Sequence, residues 1–228
     1  MHLLKDNSLK IFFYFFVLFI LSSINNLYLS ENAKKMLSIE KITFKGLNET
    51  ETEILNKQFD FLINKNILTI QKSKIEKEIK KNNFIEKFEV KKIYPSSLIF
   101  NTEKAKILAK TIIDNREYFI GSNGRIISQK YVSDIGELPI VFGKFDTDEF
   151  LKLNNYLIKE GFVPKDFEKF YYFKNKRWDI KLYEDLLVKL PRENLYDAIK
   201  KLKIFLKNNQ TYQFKVVDLR IPNQIIIN

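Results

Sequence analysis

The sequence predicts an α+β protein with a single transmembrane helix at its amino terminus, and three observations support this prediction. Residues 11–30 form an uncharged stretch near the start of the chain. Residues 38–106 follow strand and helix periods in the order strand, helix, helix, strand, strand. Residues 107–228 alternate aromatic and charged side chains around two amphipathic helical patterns, which is typical of a mixed or antiparallel β domain with flanking helices.

Composition excludes several classes of chemistry. The chain has no Cys, which rules out disulfides, thiolate zinc sites and cysteine nucleophiles, and its only His is His2. Catalytic triads and His-metal clusters are therefore not expected, and we predict no metal and no cofactor. The net charge is +11, but only five of the 39 basic residues are Arg and the Lys residues are spread along the chain. This distribution favours solvated lysines over a nucleic-acid site.

The uncharged stretch predicts a membrane anchor. Its 20 residues span about 30 Å as a helix, close to the thickness of a bilayer's hydrocarbon core. A cleaved signal peptide is the competing interpretation, but no small-x-small cleavage site follows the apolar part, which favours a retained anchor. Residues 1–10 would then be a cytoplasmic tail, residues 11–30 the span, and the remainder an exported domain in a type II topology.

The elements of residues 38–106 can be assigned one by one. Ser38 to Lys45 predicts a short strand that ends at Gly46. Asn48 and Glu51 have the spacing of a capping box at the start of a first helix, and Ser73 is the predicted cap of a second. Two further strands are predicted at residues 87–93 and 98–103, separated by a turn that contains Pro95.

The second half contains two predicted helices and several strands. Gly121 to Gly124 predicts a hairpin turn, and Asp146 predicts the cap of a helix with Phe150, Leu153, Leu157 and Ile158 on its apolar face. Residues 169–189 alternate as strands, with the following side chains directed inward: Phe170, Tyr172, Trp178, Ile180, Leu182, Leu187 and Leu190. An amphipathic helix at residues 192–207 and strands at 214–219 and 225–227 complete the chain.

Several of these segments resemble one known family. The Tyr94-Pro95 turn followed by a strand that ends in Glu103 resembles the POTRA domain of bacterial FtsQ/DivIB cell-division proteins. The segments EYFIGSNGRII, ELPIVFG, RWDIKLYEDLLVKLP and VDLRIPNQIIIN resemble successive parts of that family's carboxy-terminal β domain. The resemblance implies a POTRA domain at residues 38–106 and an FtsQ-type β domain at residues 107–228.

The resemblance also implies a function. FtsQ-like proteins are non-enzymatic scaffolds of the divisome, held in the inner membrane at the septum with their bulk in the periplasm. The family receives FtsB by strand addition at the carboxy-terminal strand, with FtsL joining through FtsB and other divisome proteins binding the POTRA domain. The partner-binding residues implied here are Leu219, Arg220, Ile221, Asn223, Gln224, Ile225, Ile226 and Ile227, with the face of the preceding helix as a flank.

Alternatives remain at this stage. From the residues alone, the terminal isoleucines are expected more often as core filling than as an open edge. An anchored Ser/Lys hydrolase is the enzyme alternative, although none of its motifs stands near the anchor. A POTRA-containing envelope transport or assembly component is a third possibility, but it would require a long barrel that 228 residues do not accommodate.

Overall fold

The computed structural model describes residues 3–23, 34–132, 136–183, 185–209 and 214–228, with the side chains of residues 3–7 and 23 left aside. These residues form a helix at the amino terminus and two β-sheets, one of three strands and one of nine, with helices packed on them. The mixed α+β class predicted from the sequence is therefore confirmed.

The first helix, α1, spans Leu3–Ser23. Most of its large apolar side chains from Leu9 to Leu21 are exposed. Among the described residues, no helix combines the length and the apolar character needed to cross a membrane. Residues 24–30, the second part of the predicted span, lie outside the described residues.

The three-stranded sheet is built in the predicted order of strands and helices. Its elements are β1 (Lys41–Lys45), α2 (Glu49–Phe59), a 3-10 turn (Asp60–Leu62), α3 (Lys72–Ile79), β2 (Ile85–Ile93) and β3 (Ser97–Lys104). The spatial order is β1-β3-β2, with β1 parallel to β3 and β2 antiparallel to it. Leu55, Phe59, Leu98 and Phe100 lie in a core between the helices and this sheet.

The two predicted helix caps have different outcomes. Asn48 caps α2 as predicted, because its side chain accepts a hydrogen bond from Glu51 N at 2.8 Å and Glu51 Oε2 accepts one from Asn48 N at 3.0 Å. The prediction for Ser73 is wrong. The second helix begins at Lys72, with Gln71 in the N-cap position and no side-chain cap bond. Burial of Ile75 and Ile79 positions this helix without a cap.

The nine-stranded sheet contains the remaining strands. Its strands are β4 (Ile107–Ile113), β5 (Arg116–Gly121), β6 (Ile126–Ser128), β7 (Ile140–Phe142), β8 (Phe167–Tyr172), β9 (Trp178–Leu182), β10 (Leu187–Lys189), β11 (Val216–Asp218) and β12 (Ile226–Ile227). The order β12-β11-β10-β9-β8-β7-β4-β5-β6 is mixed, because β4 with β7, β7 with β8, and β10 with β11 pair in parallel. The helices α4 (Thr147–Lys159) and α5 (Leu195–Asn208) contribute side chains to the core of this sheet.

Two predicted core positions are corrected. Ile158 is exposed, because the inward face of α4 is completed by Phe150, Leu153 and Leu157. Leu187 is only half-buried. Instead, Leu186 and Val188 are buried. The inward-facing residues of β10 are therefore shifted by one position from the prediction, and a shift of one position exchanges the two faces of a strand.

The turn between β5 and β6 connects the two sheets. Asn123 Nδ2 donates to the carbonyl oxygens of Asn83 at 2.9 Å and Ile85 at 3.2 Å, and Asn83 Nδ2 donates to Ile126 O at 2.8 Å. Phe119 and Ile127, both carried by the nine-stranded sheet, are buried in the core of the three-stranded one. The two sheets therefore share apolar contacts as well as hydrogen bonds.

Candidate partner-binding edge

The last strand, β12, is the outer strand at one end of the nine-stranded sheet. It pairs antiparallel with β11 in the register Val217 with Ile227 and Asp218 with Ile226. No other described strand pairs with it. The opposite side of β12 is therefore an open edge that can form a β-ladder with another chain.

The register defines which backbone groups of the edge are available. Asn228 N donates to Val216 O at 3.1 Å and Val216 N donates to Asn228 O at 3.0 Å, which identifies a hydrogen-bonded pair. Because such pairs alternate along an antiparallel ladder, Ile226 faces β11, whereas the N–H and C=O groups of Ile225 and Ile227 face outward. The backbone groups of these two outward-facing residues have no ladder partner among the described strands.

The side chains of the edge are partly accessible. Ile225, Ile226 and Ile227 expose 39%, 45% and 53% of their surface. These values exclude the prediction from composition that the isoleucines fill a core. An adjacent row of half-exposed isoleucines offers apolar surface on both faces of the edge, because successive strand residues point to opposite faces.

The turn that leads into β12 is held by two polar contacts. Arg220 Nε donates to both carboxylate oxygens of Asp218, at 2.8 and 2.9 Å, and Arg220 N donates to Asp218 Oδ1 at 3.0 Å. These hydrogen bonds hold the pKa of Asp218 below its ordinary value. Lys201 Nζ on α5 donates to Asn223 Oδ1 at 3.2 Å across the turn. The turn is therefore fixed both to β11 and to the last helix.

A row of charged side chains crosses the sheet toward this edge. Asp179 on β9 is in register with Lys189 on β10, and Lys189 is in register with Asp218 on β11. Asp179 is buried, which raises the pKa of its carboxyl group, while Arg177 at 3.2 Å opposes that change. The row ends at Asp218, which is in register with Ile226 of the edge strand. Arg220, which forms an ion pair with Asp218, is partly exposed and is the charged side chain closest in sequence to β12.

A shallow groove lies beside the turn. It has a volume of about 130 Å³ and lies between the start of α5 and the chain after β11. The lining residues are Pro191, Glu193, Asn194, Asp197, Ala198, Lys201, Leu219, Arg220, Ile221, Pro222, Asn223 and Gln224. The groove thus continues the surface of the edge onto the face of the sheet that carries α5.

The structure brings the eight predicted site residues together, but not in one role. Leu219 is buried, with 4% of its surface exposed, so it belongs to the hydrophobic core of the sheet and not to the exposed edge. Arg220, Ile221, Asn223 and Gln224 line the groove, and the three isoleucines form or adjoin the edge strand.

The sequence interpretation expected the face of the last helix to flank the edge, but it did not name three residues of this surface. Asp218 orients Arg220, and Lys201 and Asn194 belong to the helix side of the groove. The spacing of Asp218 and Arg220, two residues apart in a strand that ends there, is a local signal that could have identified their contact. Lys201 and Asn194 are distant in sequence from the edge and gave no such signal.

The described parts of the chain contain no group of three or more His, Cys, Asp or Glu residues that could hold a metal ion. Ser22, Ser96 and Ser122 donate hydrogen bonds to Phe19 O, Glu40 and Glu86, and Ser122 Oγ also accepts one from the backbone N of Lys106.

The fold and the edge define a class of protein: a POTRA-type module joined to a carboxy-terminal mixed β-sheet. The chain matches the family model "POTRA domain, FtsQ-type" at residues 37–100 and the model "Cell division protein FtsQ/DivIB, C-terminal" at residues 111–220. It belongs to the FtsQ/DivIB family of cell division proteins, as its sequence motifs predicted.

Individual relatives agree with this assignment. The chain is 24% identical over 191 residues to the cell division protein FtsQ of Rickettsia bellii, covering 83% of this chain and 71% of the relative. It is 24% identical over 166 residues to FtsQ of Bradyrhizobium diazoefficiens, covering 71% of this chain and 48% of the relative. The extracytoplasmic domain of DivIB from Geobacillus stearothermophilus aligns with 48% of the chain at 12% identity and a TM-score of 0.34, too low to add to the assignment.

Proposed function

We propose that this protein is a non-enzymatic scaffold of the divisome that captures FtsB by strand addition at β12 and recruits FtsL through FtsB. The open edge of β12 is the observation that carries the proposal. An added strand gains main-chain hydrogen bonds from Ile225 and Ile227, and its alternate side chains contact the exposed isoleucines. Family membership supports FtsB as the partner.

The surroundings of the edge support specificity. Main-chain hydrogen bonds alone accept many extended segments, so side-chain contacts must select the partner. Beside the edge, the groove near α5 offers a concave surface, and Arg220 offers a positive charge that is 41% exposed. We expect the FtsB segment to place apolar side chains on the isoleucines and an acidic or amide group near Arg220.

The experiment compares two substitutions at the same position. Ile227→Pro removes an outward-facing N–H at an edge where Pro is otherwise tolerated, whereas Ile227→Ala keeps the N–H and shortens the side chain. We expect Ile227→Pro to weaken FtsB binding by roughly tenfold, which corresponds to about 1.4 kcal/mol and the loss of one hydrogen bond. Ile227→Ala should have the smaller effect. Equal affinities of wild type and a folded Ile227→Pro protein in a titration with FtsB would reject strand addition.

We also propose the remaining arrangement of the chain. Residues 11–30 anchor the protein in the inner membrane as a single-pass type II protein, and residues 38–106 and 107–228 are its POTRA and β domains in the periplasm. The exposed apolar side chains of α1 support the anchor, and the uncharged sequence continues through residue 30. Carbonate extraction of membranes tests this proposal, because an anchored chain stays in the pellet and a peripheral one is released.

The POTRA domain is proposed to bind further divisome proteins, which would place the scaffold at the septum. Depletion of the protein tests this role in the cell. We expect filamentous cells without septa, because a lost scaffold would leave its partners unassembled. Normal septation after depletion would contradict the division role.

A further inference from the structure

One end of the three-stranded sheet carries an unusual combination of exposed residues. The chain enters this sheet through residues 37–41, which run between the 64–68 loop and the 94–97 turn. Ile67 N donates to Leu37 O and Ile39 N to Lys65 O, both at 2.9 Å. On the other side, Glu40 N donates to Ser96 O at 2.9 Å. Three segments distant in sequence therefore meet where the chain arrives from α1.

These segments expose four large apolar side chains, which we name the Tyr94 patch. Met36 exposes 65%, Leu68 55%, Ile93 46% and Tyr94 58% of its surface. Met36 and Leu68 are next to Leu37 and Ile67, which take part in the contacts above, and Ile93 and Tyr94 lie where β2 ends and the 94–97 turn begins. Exposed apolar side chains at one end of a sheet are typical of an interaction surface, and none of the described residues covers these four.

Lysines surround the same patch. Lys34, Lys35, Lys41, Lys65 and Lys92 lie on the segments that form it, and in the described structure none of the five has an ion-pair partner. Glu40 is the acidic residue of the incoming segment, and its carboxylate accepts from Ser96 Oγ at 3.5 Å. The patch thus combines an aromatic and apolar centre with a positive surround. This combination suits the headgroup region of an anionic bilayer, where Tyr rings and Lys ammonium groups are both stabilised.

The short distance along the chain from the anchor also favours the membrane surface as the binding partner of the Tyr94 patch. In the proposed anchor residues 11–30 span the membrane, so only residues 31–33 separate its end from Lys34, and three residues reach at most about 11 Å even when fully extended. A chain anchored through α1 therefore keeps the Tyr94 patch within reach of the membrane surface. We propose that the Tyr94 patch docks on the anionic lipid headgroups of the membrane that holds the anchor. This inference rests on the anchor of the proposed function, and it implies that the domains beyond the tether have a fixed orientation to the membrane.

The absence of Cys allows a direct test with the full-length chain. Tyr94→Cys, labelled with bimane, is reconstituted into vesicles of phosphatidylcholine and phosphatidylglycerol that contain a spin-labelled lipid quencher. Tyr183→Cys is the matched control, because Tyr183 is similarly exposed, at 45%, but follows β9 in the other sheet. We expect the lipid to reduce bimane fluorescence at position 94 by about twofold or more, with little change at position 183. Emission from the buried Trp178 reports that each variant is folded.

Three comparisons decide the outcome. Charge reversal of Lys34, Lys35 and Lys92 to Glu, or vesicles of phosphatidylcholine alone, should remove most of the quenching at position 94. Equal quenching at positions 94 and 183, or quenching at 94 that is insensitive to charge, would overturn the proposal. A labelled Phe15→Cys variant tests the anchor separately. Quenching at 15 without quenching at 94 rejects docking and leaves the anchor intact, whereas no quenching at 15 rejects the anchor itself. FtsB binding is measured independently of both.

Discussion

Asp218 is the residue that fixes the geometry of the candidate edge. It belongs to β11, pairs with Ile226, and accepts four hydrogen bonds from the side chain and backbone of Arg220 within 3.0 Å. A carboxylate hydrogen-bonded by a guanidinium is stabilised in its charged form. These hydrogen bonds hold the start of the turn from Leu219 to Gln224 in one conformation. A partner strand that binds β12 would therefore lose less conformational entropy in ordering this turn.

Asp218→Asn should reduce the free energy of unfolding by about 1 kcal/mol at pH 7, because it removes the charge and keeps the size of the side chain. The folded-state pKa of Asp218 is lowered, so its contribution is present above the ordinary Asp pKa of about 3.9 and is lost as the pH falls through the folded-state value. Urea unfolding at pH 7 and at pH 3 measures the difference between the two proteins. The difference should shrink at pH 3, and a difference that is independent of pH would contradict this role.

Helix α2 and helix α3 show how local sequence signals compete with packing at the scale of elements. The start of α2 is encoded by the reciprocal contacts of Asn48 and Glu51. Glu51 is also buried, and Lys104 Nζ on β3 lies 2.6 Å from its Oε1. The capping box therefore also joins the helix to the sheet. By contrast, Ser73 offers a suitable capping side chain that the structure does not use.

Asn48→Ala should reduce the free energy of unfolding by about 1 kcal/mol, because a backbone N–H at the start of α2 loses its acceptor. Ser73→Ala is the matched control. It should change stability by less than about 0.5 kcal/mol, because Ser73 lies within the first turn of α3 without a cap bond. Thermal or chemical unfolding of both variants checks the pair, and equal losses would show that the assignment of the two caps is incorrect.

The sequence predicted the elements well and their side-chain directions less well. Period-two and helical patterns identified the strands and helices of both sheets because those patterns follow from the local geometry of the backbone. The prediction for Leu187 is wrong because the connection between β9 and β10 determines the register, and its sequence contains no Asn-Gly pair that would specify one turn type. Ile158 was assigned inward because the width of an apolar face depends on what packs against it.

The edge itself could be predicted only through family resemblance. The run of three isoleucines predicts a strand at residues 225–227, and the structure has one at Ile226–Ile227, but whether a strand is central or terminal in a sheet depends on pairings between distant parts of the chain. The contact of Lys201 with Asn223 also depends on pairings between distant parts of the chain, as does the burial of Phe119 and Ile127 in the core of the three-stranded sheet. They are tertiary features with no local pattern.

At the scale of the whole molecule, the two sheets are mechanically connected. The β5–β6 turn binds the 83–85 segment through Asn123, and Arg125 Nη1 donates to Lys80 O at 3.0 Å. Phe84 also stacks on Tyr131, with ring centroids 4.5 Å apart. Because buried side chains of one sheet complete the core of the other, we expect the two to unfold together.

Ile127→Ala should reduce the free energy of unfolding by about 2–5 kcal/mol, because it leaves a cavity in a core that both sheets share. Ile112→Ala is the control, since Ile112 is exposed and belongs to the same sheet. Amide hydrogen exchange reports both sheets in one experiment. Ile127→Ala should increase exchange in β3 and in β9 together, and a change confined to one sheet would indicate that they unfold independently.

The central claim is that the edge of β12 receives a strand from FtsB, and residue-resolved amide hydrogen exchange with and without FtsB tests it most directly. The Ile226 amide faces β11, so its protection should change little, whereas the outward-facing amides of Ile225 and Ile227 should become strongly protected when FtsB binds. Protection confined to other surfaces, with Ile225 and Ile227 exchanging at the same rate in the complex, would contradict strand addition at this edge.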